Sequence, residues 1–122
     1  MKILELYRPG VTTFTHQKIG STKVFLDGNC RQNECNLGNF IADSMVHWYA
    51  SRSPFREDNF WTDASIGLLH SGGIRTSIDH RDGSGMLTKG DTLRILPFGD
   101  KIMVVEVTGE ELLEALEHSV YE

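Results

Sequence analysis

The stretch that most constrains the fold is Ile66-Gly67-Leu68-Leu69-His70-Ser71-Gly72-Gly73-Ile74-Arg75, an apolar run that breaks into a Ser-Gly-Gly turn and ends on an arginine. A short apolar run closed by turn residues predicts a strand buried on both faces, and in open α/β sheets ligands collect at the carboxyl ends of such strands. Paired glycines let backbone N–H groups approach a bound anion, because no Cβ holds it off. Arg75 adds a planar, permanently charged fork matched to phosphate or carboxylate oxygens. A Gly-Gly turn followed by a solvated arginine would leave the same letters, so this stretch alone leaves both readings open.

Around it, strand and helix signals alternate. Pro9-Gly10 reads as a breaker in a polar lead-in with little fold of its own, and Thr22 to Leu26 as a strand stopping at Asp27-Gly28. Leu37, Phe40, Ile41, Met45 and Trp48 recur at helical spacing, with Asn36 placed to cap a helix that runs to about Ala50 before Ser53-Pro54. Phe55 to Asp63 reads as a surface connection whose Phe60 and Trp61 tuck onto the body. Asp79 to Gly85 reads as an exposed polar loop, since it lacks the bidentate carboxylate that would close an EF-hand. Thr88 and Asp91 have capping-box spacing ahead of a short helix that ends at Leu96-Pro97-Phe98-Gly99, a turn presenting Phe98 either to a ligand or as a hydrophobic plug. Lys101 to Val107 reads as a strand, and Thr108-Gly109-Glu110-Glu111 opens a helix whose Leu112, Leu113, Leu116 and Val120 are expected inside. The last residues lack a glycine cap, as in a chain cut in mid-element. Interleaved strands and helices predict an α/β or α+β sandwich-like domain, a mixed sheet with helices.

With 122 residues the chain fits one domain or a piece of a larger one. Its 39% hydrophobic and 24% charged residues are those of a globular protein rather than a disordered tail. No stretch approaches the roughly 18 apolar residues of a membrane span. Glu5 and Arg8, close behind Met1, leave no signal-peptide core, so no targeting segment is expected here. A formal net charge of -5, with 12 scattered lysines and arginines, opposes nucleic acid as a partner. Cys30 and Cys35 leave two readings: a small disulfide loop in an oxidising compartment, or half of a metal site. A bridge over so short a loop stabilises by about 2 kcal/mol and would fix the backbone beneath Arg31.

Four segments in order carry a resemblance: Cys30-Arg31-Gln32-Asn33-Glu34-Cys35-Asn36-Leu37-Gly38-Asn39-Phe40-Ile41-Ala42-Asp43, Ser71-Gly72-Gly73-Ile74-Arg75, Leu96-Pro97-Phe98-Gly99, and the Val-Thr-Gly turn into Leu116-Glu117-His118-Ser119-Val120. Together they resemble the C-terminal, nucleoside-binding domain of the 5'-nucleotidase family, with animal ecto-5'-nucleotidases and salivary apyrases as the nearest likeness. The resemblance implies that residues 1–18 lead in from an interdomain linker and that 19–122 form a partial domain, incomplete in its C-terminal half. It implies no catalytic residue and no cofactor in this chain. The chemistry would belong to a missing N-terminal metallophosphatase domain with two divalent metal ions, usually zinc, against which the nucleoside-binding domain rotates to deliver substrate.

By the same resemblance, Arg31 and Arg75 contact phosphate and ribose, Gly73 is the glycine-turn contact, and Phe98 is one of two rings that sandwich the base. Cys30 and Cys35 match a family disulfide. His70 replaces an asparagine that hydrogen-bonds the purine, and it cannot offer an amide's paired donor and acceptor edges. A second vertebrate disulfide falls on positions matching Ala42 and Gly67, both partners being replaced together. The implied function is hydrolysis of nucleoside 5'-monophosphates such as AMP by a secreted or cell-surface parent, with a homodimer of that parent as a further expectation. Two rivals stay open: a non-catalytic nucleotide-binding or interaction protein, and an apyrase or UDP-sugar hydrolase specificity.

Overall fold

A computed structural model describes residues 3–52, 61–79 and 85–121. The chain begins with helix α1 (Ile3–Thr15) and strand β1 (Lys18–Ser21), followed by α2 (Asn36–Ala50). Strand β2 (Met86–Thr88) then leads directly into α3 (Lys89–Ile95), and α4 (Gly109–Ser119) follows. β1 and β2 pair antiparallel, Lys18 opposite Thr88 and Ser21 opposite Met86, with a register shift between Lys18 and Gly20. The result is a small mixed α/β domain.

Its core joins distant segments. Leu26, Leu37, Ile41, Ile74, Ile78 and Ile95 form one buried cluster, with Cys30 and Leu87 packed against it. Leu37, only 1% exposed, is its centre. Leu26 and Ile78 exchange backbone hydrogen bonds at 3.1 and 2.9 Å, and the Arg75 N–H donates to the Ile95 carbonyl at 2.9 Å. The turn before Arg75 and the end of α3 are thereby fixed to each other.

Several sequence expectations are corrected. Pro9 lies inside α1 rather than breaking it. A proline removes one backbone donor, while Ile3, Tyr7, Val11 and Phe14 recur at helical spacing and the Thr13 hydroxyl donates to the Pro9 carbonyl at 3.0 Å. The strand expected at 22–26 starts earlier, at Lys18, and Leu26 keeps only its isolated bridge to Ile78. α2 has the expected span, but its cap is Cys35, whose Sγ accepts from the Gly38 N–H at 3.2 Å. Asn36 is otherwise engaged: its Oδ1 accepts from the Asp27 N–H at 2.7 Å and its Nδ2 donates to the Phe25 carbonyl at 2.9 Å.

The two apolar runs read as strands have no regular secondary structure and join no ladder among the described residues. Ile66 and Leu68 are 61% and 60% exposed, against the expected burial on both faces. In 101–107 no residue makes a backbone hydrogen bond to another described residue. Trp61 is exposed where it was expected to tuck in, and its neighbour Thr62 is buried instead. α4 forms as expected, yet Leu113, Leu116 and Val120 face solvent rather than the core. Phe60, Ser53-Pro54 and most of the Asp79–Gly85 loop lie outside the described residues.

Candidate functional site

Each of the three side chains singled out for ligand contact stands just beyond a residue of the core cluster or its rim: Arg31 follows Cys30, Arg75 follows Ile74, and Phe98 stands three residues after Ile95. Arg75 and Phe98 come together. The Arg75 guanidinium carbon lies 5.7 Å from the centre of the Phe98 ring, within reach of a cation–π attraction. Arg75 Nη1 also donates to the Gly72 carbonyl at 3.1 Å. The ring is 62% exposed, so it is a presented surface and not the hydrophobic plug of the alternative reading. The turn carrying it follows α3, begins at Leu96, and uses Gly99 at φ +67, a backbone conformation that favours glycine.

His70, Ser71, Gly72 and Gly73 make one 3-10 turn, with the Gly73 N–H donating to the His70 carbonyl at 2.9 Å and the Ile74 N–H to the Ser71 carbonyl at 3.1 Å. The Gly73 N–H is therefore spent within the turn rather than left open to an anion. The two glycines do different work. A Cβ on Gly72 would stand 2.5 Å from the His70 ring, which lies across it, whereas a Cβ on Gly73 would meet nothing within 4 Å. Gly72 accommodates the histidine, and Gly73 faces open space.

Arg31 lies in the loop closed by the Cys30–Cys35 disulfide, which the structure contains. It is exposed and makes no hydrogen bond or ion pair to the other described residues. Gly38 permits the loop's position: a Cβ there would stand 2.7 Å from Cys35 Sγ, 3.4 Å from Cys30 Sγ and 3.7 Å from Ile74 Cδ1. An open groove of about 270 Å³ runs between this loop and the Ser71–Ile74 turn, and Asn39, whose Nδ2 donates to Glu34 Oε1 at 2.8 Å, stands on its border. Neither this groove nor a larger one of about 510 Å³ between α2 and Trp61 is lined by Arg31, His70, Gly73, Arg75 or Phe98. The close approach at Gly38 and the tie to the Ile95 carbonyl were missed in the sequence, where only the small size of the glycine gave a hint.

Among the described residues no group of three or more His, Cys, Asp or Glu side chains could hold a metal ion, and no helix is long and apolar enough to cross a membrane.

Residues 18–122 match the family model described as 5'-nucleotidase, C-terminal domain. The chain belongs to this family. The 5'-nucleotidase C-terminal domain described here is 44% identical over 121 residues to the Lutzomyia longipalpis protein named Protein 5NUC, covering 97% of this chain and 21% of that protein. It is 39% identical over 111 residues to a snake venom 5'-nucleotidase of Crotalus adamanteus, covering 88% of this chain and 18% of the relative. The Homo sapiens 5'-nucleotidase is 36% identical over 118 residues, covering 94% and 20%. The domain thus spans about a fifth of the length of these curated relatives.

Proposed function

We propose that this domain is the nucleotide-binding portion of a 5'-nucleotidase that converts nucleoside 5'-monophosphates, AMP among them, to nucleoside and phosphate. The observation that carries the reading is the Arg75–Phe98 pair, an exposed ring with a guanidinium against it on a turn fixed to the core. The ring offers a stacking face to a base, and stacking of this kind is worth roughly 1–3 kcal/mol and tolerates several bases. Arg75 already donates one N–H to the Gly72 carbonyl, which orients its remaining donors for phosphate or ribose oxygens. Arg31 contributes a second positive charge from the disulfide loop, and His70 presents its ring edge beside the turn to the base.

In this reading, the residues described bind and orient. Cleavage of the phosphate would belong to another part of the parent, where two divalent metal ions, zinc in the family pattern, would supply the means to activate water. The parent acts outside the cell or at its surface, in keeping with an internal disulfide, and a homodimer of it fits the same reading. Steady-state kinetics of the full-length parent on AMP test the site. Arg75→Ala and Phe98→Ala should each raise KM about tenfold, and unchanged KM in both would remove the assignment. Comparing AMP, ADP and UDP-glucose as substrates separates the monophosphatase from the apyrase and UDP-sugar alternatives.

A further inference from the structure

The loop carrying Arg31 is held almost entirely by one covalent bond. Residues 30 to 33 make no backbone hydrogen bond to other described residues, and the Arg31 side chain has no polar partner among them. On one side, the Asn29 N–H donates to Asp27 Oδ1 at 2.9 Å. On the other, Glu34 is engaged by Asn39. Between those anchors, among the described residues, the Cys30–Cys35 bridge and the packing of Cys30 on the core set the path of the chain.

We infer that this disulfide is a reducible strut whose redox state sets the position of Arg31 and hence the affinity of the anion site; the inference rests on the nucleotide-binding reading above and adds its regulation. The two sulfurs are unequal. Cys35 is buried, 5% exposed, and its Sγ accepts the Gly38 N–H at the first turn of α2. Cys30 is only partly buried, at the edge of the core. An incoming dithiol therefore attacks Cys30 Sγ with one thiolate. The Cys30–Cys35 bond breaks, and its electron pair leaves on Cys35 Sγ as a thiolate that the helix-end N–H stabilises. The reductant's second thiolate then attacks its own sulfur in the mixed disulfide, and Cys30 leaves. The net change is two electrons and two protons from dithiol to protein, giving two protein thiols and one oxidised dithiol. Because the bridge closes a loop of sequence separation 5, its opening releases a short stretch, Arg31 with Gln32 and Asn33, and none of these three belongs to the core cluster.

The test uses the full-length parent with AMP. Cys30→Ser/Cys35→Ser should raise KM about tenfold with kcat within about twofold, and adding Arg31→Ala to it should raise KM no further. If the serine variant folds poorly, by its circular dichroism melt, the wild type equilibrated with graded dithiothreitol and trapped by alkylation gives the same readout: KM should rise in step with alkylation of Cys30 and Cys35. Unchanged KM on loss of the bridge, with Arg31→Ala still raising it, overturns the strut and leaves the nucleotide-binding reading standing. Unchanged KM in Arg31→Ala, Arg75→Ala and Phe98→Ala alike removes both.

Discussion

At the scale of single residues, the glycines separate structure from ligand binding. Because a Cβ on Gly73 meets no protein atom, Gly73→Ala should leave the melting temperature of the parent within about 2 °C of wild type. A rise in KM for AMP in that variant, at unchanged stability, would show that a ligand uses the open space. Gly67 has the opposite character, since its Cβ would stand 2.6 Å from the Ala42 carbonyl oxygen. Where chemistry is written in residue type the sequence pointed to features the structure contains, the Cys30–Cys35 bridge and the meeting of Arg75 with Phe98. The Cys35 cap was not legible, because a sulfur at a helix start has no strong sequence signal and Asn36 beside it is a better cap on paper. Asn36 was drawn away by two backbone partners, Phe25 and Asp27, that only the folded chain brings to it.

At the scale of elements, both capping boxes formed as their spacing predicts. Thr88 and Asp91 open α3, and Thr108 and Glu111 open α4. In the second, the Thr108 N–H donates to Glu111 Oε2 at 2.7 Å and the Thr108 hydroxyl donates to the same oxygen at 2.9 Å. These two bonds, the backbone one first, hold the Glu111 carboxyl below its ordinary value. A depressed carboxylate stabilises the folded cap above its unfolded pKa and loses that contribution as pH falls through the folded value. The Thr108 amide resonance should therefore stay put as pH falls from neutral into the ordinary glutamate range and move only below it. In Glu111→Gln that movement should vanish, and its persistence would assign the titration to another group. Capping is legible because its interactions span three residues. α1 was misread for a related reason: Pro9-Gly10 is a strong local signal, and the helical recurrence of Ile3, Tyr7, Val11 and Phe14 around it is a weaker one.

For the whole molecule, the expected strands at 66–69 and 101–107 show where local reading ends. A sequence records that a segment prefers extended backbone; pairing depends on which partner lies alongside. Among the described residues only β1 and β2 form a ladder. The largely apolar run at 101–107 lies outside any ladder, with Met103 78% and Val105 69% exposed. Such a segment is a template for pairing with another chain. This domain, produced by itself, should therefore self-associate in sedimentation velocity as concentration rises, and Met103→Lys should shift it toward monomer. A monomer at all concentrations in the unsubstituted domain would count against the open edge. The tie from the Arg75 amide to the Ile95 carbonyl has the opposite sense, binding the molecule inward. It makes ring and guanidinium two fingers of one hand, fixed to a single body, so that neither can shift without carrying the other along.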